Sequence, residues 1–202
     1  RQSGFLIPKL QDNSTTGLSL NLPYFIALAE NKDITLSPRF FAEDKLLIQT
    51  EFRQKNKNSD NIIDLSQFIS NGENTKGHLF YNFNKNYENN DFDEIEINLK
   101  LEQVTDETYL KAYRIESPII NNMSNLINSM NLNLINENTL ISTNLDIYED
   151  LSKQDSDKYE YVPNFSFSKI IDNNNAIYSN GYYKNYNTNV TEKVLINNFE
   201  FE

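Results

Sequence analysis

A period of two between apolar and polar residues runs through this chain, and it leaves strands as the main local option. Leu18, Leu20, Leu22, Tyr24 and Ile26 alternate with Ser19, Asn21 and Pro23. Ile34, Leu36 and Phe40 alternate with Asp33, Thr35, Ser37 and Arg39, and Leu46, Ile48 and Phe52 with Gln49, Glu51 and Arg53. In "DEIEINLKLE", Ile95, Ile97, Leu99 and Leu101 alternate with acids, an amide and a lysine. Successive strand side chains point to opposite faces, so each segment has one aliphatic and one polar side. Less regular patterns predict strands near 61–69, 77–85, 125–135, 139–149, 158–170, 175–186 and 193–202. Turn-rich pieces such as "NKD", "NKNYENND", "INEN" and "IDNNN" separate them. One piece breaks the series. "TDETYLKAYRIESP", 105–118, reads as a short helix or rim loop, capped by Thr105 or Asp106 and stopped by Pro118.

The fold class is therefore all-β, with about ten antiparallel strands in hairpin order. Two architectures share this pattern. A soluble sandwich turns its aliphatic faces inward; a large transmembrane barrel turns them to lipid and its polar faces to a watery lumen. Aromatic residues near strand ends (Tyr24, Phe25, Phe40, Phe41, Phe80, Tyr81, Phe83 and Tyr87) suit the interface girdles of a barrel, and also a sandwich core.

Charge and composition remove other classes. The formal net charge is −11, against the basic footprint of a nucleic-acid binder and the basic face of a membrane-surface helix. Cys is absent, so there is no disulfide framework or thiolate metal site here. No apolar run is long enough for a transmembrane helix, which says nothing against spanning strands. Asn makes up close to one residue in six; it reads as a compositional bias, with no functional ladder expected. The chain begins with Arg and ends on "NNFEFE" within a strand-like pattern, and is expected to be a piece of a longer protein.

No motif frames an enzyme, cofactor or metal site. The single histidine, His78, is expected at the surface near a strand start. The acidic clusters "NNDFDEIE" and "YEDLSKQDSDKYE" lack a twelve-residue calcium loop with its glycine, so they read as solvated rim charge. "NGENTKG" lacks phosphate-loop spacing.

The segment "RQSGFLIP" at 1–8, "LPYF" at 22–25, "NKDITLSPRF" at 31–40 and "EFR" at 51–53 resembles, in order and spacing, the lipopolysaccharide-assembly LptD (OstA) family. "GHLFYNFN" and "VTDETYLKAY" resemble it more loosely. The resemblance implies the N-terminal part of a large barrel in the outer membrane of a Gram-negative bacterium, inserting lipopolysaccharide into the outer leaflet. It implies a junction at 1–14 after a periplasmic jelly-roll domain, barrel strands from 15 to 202, and a rim element at 105–118. It also implies a lipoprotein plug, LptE, periplasmic bridge proteins reached through the jelly roll, contact with outer-membrane lipid, and no nucleic acid. In the family, prolines of the first strands belong to a seam that opens sideways into the membrane; by motif match these are Pro23 and Pro38. On this reading Ser19, Asn21, Thr35, Ser37, Arg39, Gln49, Glu51 and Arg53 are lumen-facing polar candidates. Arg39 and Arg53 would meet a sugar-linked phosphate or pair with Glu51 or another carboxylate.

Geometry adds to the proline argument. Like faces pair, so numbers of facing residues sum to an even value, and a sum of about 62 suits the turn at "ENKD". Pro38 would then lie opposite Tyr24 and Pro23 opposite Arg39. Adjacent antiparallel rungs alternate between hydrogen-bonded and non-hydrogen-bonded. One proline therefore lacks an N–H aimed at the shared ladder, and the other lacks one aimed at an outside neighbour.

Overall fold

In a computed structural model, residues 2–42, 45–70, 74–153, 158–172, 174–185 and 191–201 are described. They form an antiparallel sheet of fourteen strands in which, past the first few short segments, sequence neighbours pair in order. The chain divides into two compact units, residues 1–82 with 101–124, and residues 83–100 with 125–202.

The first unit opens with four short strands, β1 (Gly4–Phe5), β2 (Lys9–Asn13), β3 (Gly17–Asn21) and β4 (Tyr24–Ala29). Longer strands follow: β5 (Lys32–Phe41), β6 (Leu46–Asn56), β7 (Ser59–Ile69) and the start of β8 (Lys76–Tyr87), with the end of β9 (Glu94–Val104). The expected strand over 18–26 is interrupted at Leu22 and Pro23, and the segment expected as a junction is itself paired. Lys9 to Asn13 pair with Asn21 to Gly17, and Gly4 and Phe5 with Phe25 and Tyr24. The two ladders are offset by one residue across Leu6–Pro8, where a proline interrupts each side.

The hairpin register differs from the expected one by two. Asn21 faces Arg39, Leu20 faces Phe40 and Tyr24 faces Leu36, so facing numbers sum to 60, not 62. Pro38 is thus level with Leu22, whose N–H donates to its carbonyl at 3.0 Å. In that hydrogen-bonded rung, Pro38 has no N–H to return to Leu22. Pro23 falls on the next rung and turns the other way: its carbonyl accepts the Leu6 N–H at 2.8 Å. Its missing donor therefore faces the β1–β2 segment. Pro38 itself lies within the continuous β5, paired with Ile48 of β6.

Burial is inverted relative to a soluble domain. On the aliphatic faces Leu18 is 55% exposed, Phe40 47%, Leu65 42% and Leu79 43%. On the opposite face Asp33, Arg39, Asp64, Ser66, His78 and Glu102 are all buried. Residues 105–119 cover part of this polar face. Tyr109, Leu110 and Ile115 are fully buried there, and Tyr113 and Ile119 nearly so. The covering segment contains the one helix of the described residues, α1 (Tyr109–Ala112). Asp106 Oδ1 accepts from the Thr108 N–H at 2.9 Å and its hydroxyl at 2.6 Å, while Thr108, the N-cap, makes no side-chain cap of its own. The helix stops before Pro118: Arg114 adopts a left-handed φ of 47°, which turns the chain back over the sheet.

The second unit contains the rest of β8 and β9, followed by β10 (Asn125–Asn136), β11 (Thr139–Asp150), β12 (Tyr159–Ile170), β13 (Asn175–Asn185) and β14 (Thr191–Phe201). Predicted residues 186 and 202, and parts of "YEDLSKQDSDKYE" and "NGENTKG", lie outside the described residues. Two-residue hairpins are held by side chains: Asn136 Oδ1 accepts the N–H groups of Asn138 and Thr139 at 3.0 and 2.7 Å. Its aliphatic and aromatic face is exposed, with Met130, Leu145 and Phe165 at least 40% exposed. Strand register also aligns asparagines on the polar face, without hydrogen bonds between them. Asn98, Asn131, Asn144 and Asn164 face one another in turn across β9, β10, β11 and β12.

Candidate functional site

The polar face of the first unit is the candidate site. Alternation brings the eight polar candidates to one face, and register sets them in rows. Thr35 faces Glu51, which faces Asp64; Ser37 faces Gln49, which faces Ser66; Asp33 faces Arg53. Asn21 faces Arg39 from β3, with Ser19 two residues earlier and 4% exposed.

Charges on this face are largely committed to one another. Arg53 Nε contacts Asp33 Oδ1 at 2.8 Å and Glu51 Oε1 at 3.2 Å, so of its two expected roles it takes the pairing one. Arg39 is buried and its Nη1 donates to the Tyr113 carbonyl at 2.5 Å; its Nε is buried without a partner. Gln49 Nε2 reaches both Asp64 oxygens at 3.0 Å and the Glu116 carbonyl at 2.8 Å. A buried arginine and an amide thus bind the backbone of the covering segment, satisfying carbonyls that have no strand partner.

Sequence reasoning missed the centre of this arrangement. His78 is buried, where a surface position was expected. Its ring stacks on Phe80 with centroids 4.2 Å apart. Its Nδ1 lies 2.6 Å from the Ser66 hydroxyl, and its Nε2 lies 3.4 Å from Asp64 Oδ1. The Ser66 hydroxyl also meets the Tyr109 hydroxyl at 2.6 Å. Serine and aspartate flank the ring, but His78 Nε2 makes no hydrogen bond, and Tyr109 and Phe80, both with no exposure, close the group off. The chain of contacts instead fastens α1 to β7 and β8. Burial pushes the Tyr109 hydroxyl up to about 12, against the opposing bond from Ser66, so it remains a neutral donor and acceptor. The signal for these residues was available: Asp64 and Ser66 alternate with Ile63, Leu65 and Gln67 in β7. What was missing was their non-local neighbour.

Further contacts tie the covering segment down. The Thr105 N–H donates to the Gly77 carbonyl at 3.0 Å, and the Gly77 N–H to the Thr105 hydroxyl at 2.8 Å. Lys76 pairs with Asp106 at 3.1 Å. The Thr108 bonds, then the Lys76 contact, hold the Asp106 carboxyl below its ordinary range. On the edge segment, Asn13 Nδ2 donates to the Ala112 carbonyl at 2.8 Å and Lys9 pairs with Glu116 at 2.7 Å. Among the described residues no group of three or more His, Asp or Glu is placed to hold a metal ion.

No family model matches the chain. Curated relatives do. It is 24% identical over 173 residues to the LPS-assembly protein LptD of Pseudoalteromonas atlantica, covering 85% of this chain and 22% of that protein. It is 36% identical over 77 residues to the LPS-assembly protein LptD of Pseudomonas aeruginosa, covering 38% of this chain and 8% of the relative. With the protein of that name from Pseudomonas fluorescens, identity is 48% over 60 residues, 30% of this chain and 6% of the relative. The chain therefore spans less than a quarter of the length of these relatives. Over this segment, then, the chain is similar to proteins named LPS-assembly protein LptD, in line with the resemblance its first motifs carry.

Proposed function

We propose that the chain is part of the wall of an outer-membrane barrel of a Gram-negative bacterium that delivers lipopolysaccharide to the outer leaflet. The observation that carries this reading is the inverted burial: the aliphatic faces are exposed, and in the first unit the charged and hydroxyl-bearing face is buried. Aliphatic surface at that scale is costly in water, at about 25 cal/mol per Å², and is at home in lipid. A soluble all-β module would need those same faces packed together. On this reading the polar candidates line a lumen, and the lipid portion leaves through a seam at the first strands. The segment performs no covalent chemistry; the serine–histidine–aspartate series is a fastening. A lipoprotein plug, LptE, a preceding jelly roll and periplasmic bridge proteins would complete the path.

The seam rests on Pro23 and Pro38. Each missing N–H forfeits about 0.5–1.5 kcal/mol in water, and more where no water reaches the orphaned carbonyl. Pro38 weakens the ladder between the first hairpin's strands, and Pro23 weakens the contact with Leu6. Restoring both donors in the full-length protein, as Pro23→Ala with Pro38→Ala, is expected to tighten the seam and slow lipopolysaccharide delivery to the cell surface. Unchanged delivery would remove the seam's role. A segment that folds as a detergent-free monomer would overturn the barrel reading itself.

A further inference from the structure

The polar face of the first unit is interrupted by rings at one end of its strands. Parity along β5 and β7 puts Phe41 on the same face as Ser37 and Arg39, and Phe68 on the same face as Asp64 and Ser66. There the two rings meet Tyr113 of the covering segment. Phe68 and Tyr113 have centroids 4.4 Å apart, and Phe41 stands edge-on to them at 6.0 and 6.1 Å. The three rings line a cavity of about 510 Å³, within the range of about 300–1,000 Å³ that encloses small molecules. Lys45 and Lys76 also line it, and Thr15, Thr16 and Thr108 add hydroxyls. Thr15 and Thr108 are exposed, so the cavity opens to solvent. Neither proline and none of the Asp33–Arg53–Glu51 contacts belongs to it.

The lining selects by charge and by shape. The chain carries 29 acidic against 18 basic residues, yet among the described residues the lining holds two lysines and no carboxylate. An ammonium has three donors. The contact from Lys76 to Asp106 at 3.1 Å uses one of them, and Thr108 holds that carboxylate through its other oxygen. Lys76 can therefore serve an entering anion without losing Asp106, whereas a cation would be repelled. Phe68 and Tyr113 are buried, but Phe41 is only half-buried, so ring surface beside the cavity is left uncovered. A bare inorganic anion would leave that ring uncovered still, and a neutral polyol would gain nothing from the charge of the two ammoniums. A flat aromatic body ending in one carboxylate satisfies both, its ring against Phe41 and its acid at the lysines.

We infer that this cavity is a binding site for a small aromatic carboxylate, with Lys45 and Lys76 as its anion partners and Phe41 as its ring platform. The inference needs only the geometry of the first unit and stands apart from the transport reading. The test uses the full-length protein in lipid nanodiscs, with trifluoromethylbenzoate as the probe and fluorine NMR line broadening as the readout, against empty nanodiscs. The benzoate is expected to bind saturably, and the neutral trifluoromethylbenzamide at least about fivefold more weakly. Lys45→Met is expected to weaken benzoate binding about tenfold, and Lys45→Arg, which keeps the charge, to restore most of it. Ala112→Trp, which puts a ring into the cavity, is expected to abolish binding. Lys55→Met, at the opposite end of β6, should leave it unchanged. Equal binding of benzoate and benzamide overturns the site, as does full binding in the Lys45→Met variant. Full displacement of the probe by an equal concentration of inorganic phosphate overturns the aromatic requirement. If Ala112→Trp loosens the covering segment, seen as lost hydrogen-exchange protection at the Ile115 N–H, the Lys45 variants and the benzamide comparison decide by themselves.

Discussion

Tyr109 separates two ways of holding the covering segment. Its ring is fully buried and its hydroxyl meets Ser66 at 2.6 Å. Tyr109→Phe removes only the hydroxyl. Ser66 keeps His78 Nδ1 as a partner at 2.6 Å, so nothing is orphaned and the loss is about 1 kcal/mol. Tyr109→Ala removes the ring as well, and large aromatic truncations cost about 3–5 kcal/mol. Hydrogen exchange in the full-length protein reads both as local opening free energies. The Ile115 N–H, bonded to the Leu110 carbonyl, and the Thr105 N–H, bonded to Gly77, are the reporters. Exchange there should speed up about fivefold in the Phe variant and at least about a hundredfold in the Ala variant, at 1.4 kcal/mol per decade. Reporters in β11 and β12 should not move. If Phe and Ala accelerate exchange equally, the ring's packing does not hold the segment; if neither does, α1 is not fastened through Tyr109 at all.

Other perturbations follow from named contacts. A Cβ on Gly77 would fall on the Ser66 carbonyl oxygen, so Gly77→Ala should destabilise by about 1–3 kcal/mol, seen as a lower urea midpoint. Arg53→Met leaves Asp33, 3% exposed at its side chain, without that cation; because Arg53 is itself 44% exposed, the loss should be about 1–2 kcal/mol, below that of a fully buried pair. Lys55→Met, which removes the exposed partner of Asp60, should change the same midpoint by less than about 0.5 kcal/mol. Asp106 has a depressed folded-state pKa, so its contribution is present above the ordinary carboxylate value and is lost as pH falls through the lower folded one. The midpoint gap between the parent and Asp106→Asn should therefore close as pH drops from about 6 to about 3; a gap that widens refutes the assignment.

Alternation alone fixed where most strands lie, because a period of two is a local property of consecutive side chains. It also fixed that Pro23 and Pro38 turn to different ladders, since that depends only on an even register. It could not fix the register itself: a shift of two keeps every side chain on its face, so sums of 60 and 62 leave the same pattern. Nor could it say which face is inside, because an aliphatic stripe looks the same whether it meets a core or lipid. The covering of the polar face by residues 105–119, the burial of His78 and the asparagine row across β9 to β12 each depend on residues far apart in sequence. Those partners are chosen by strand pairing and chain reversal, and only the tertiary structure brings them together.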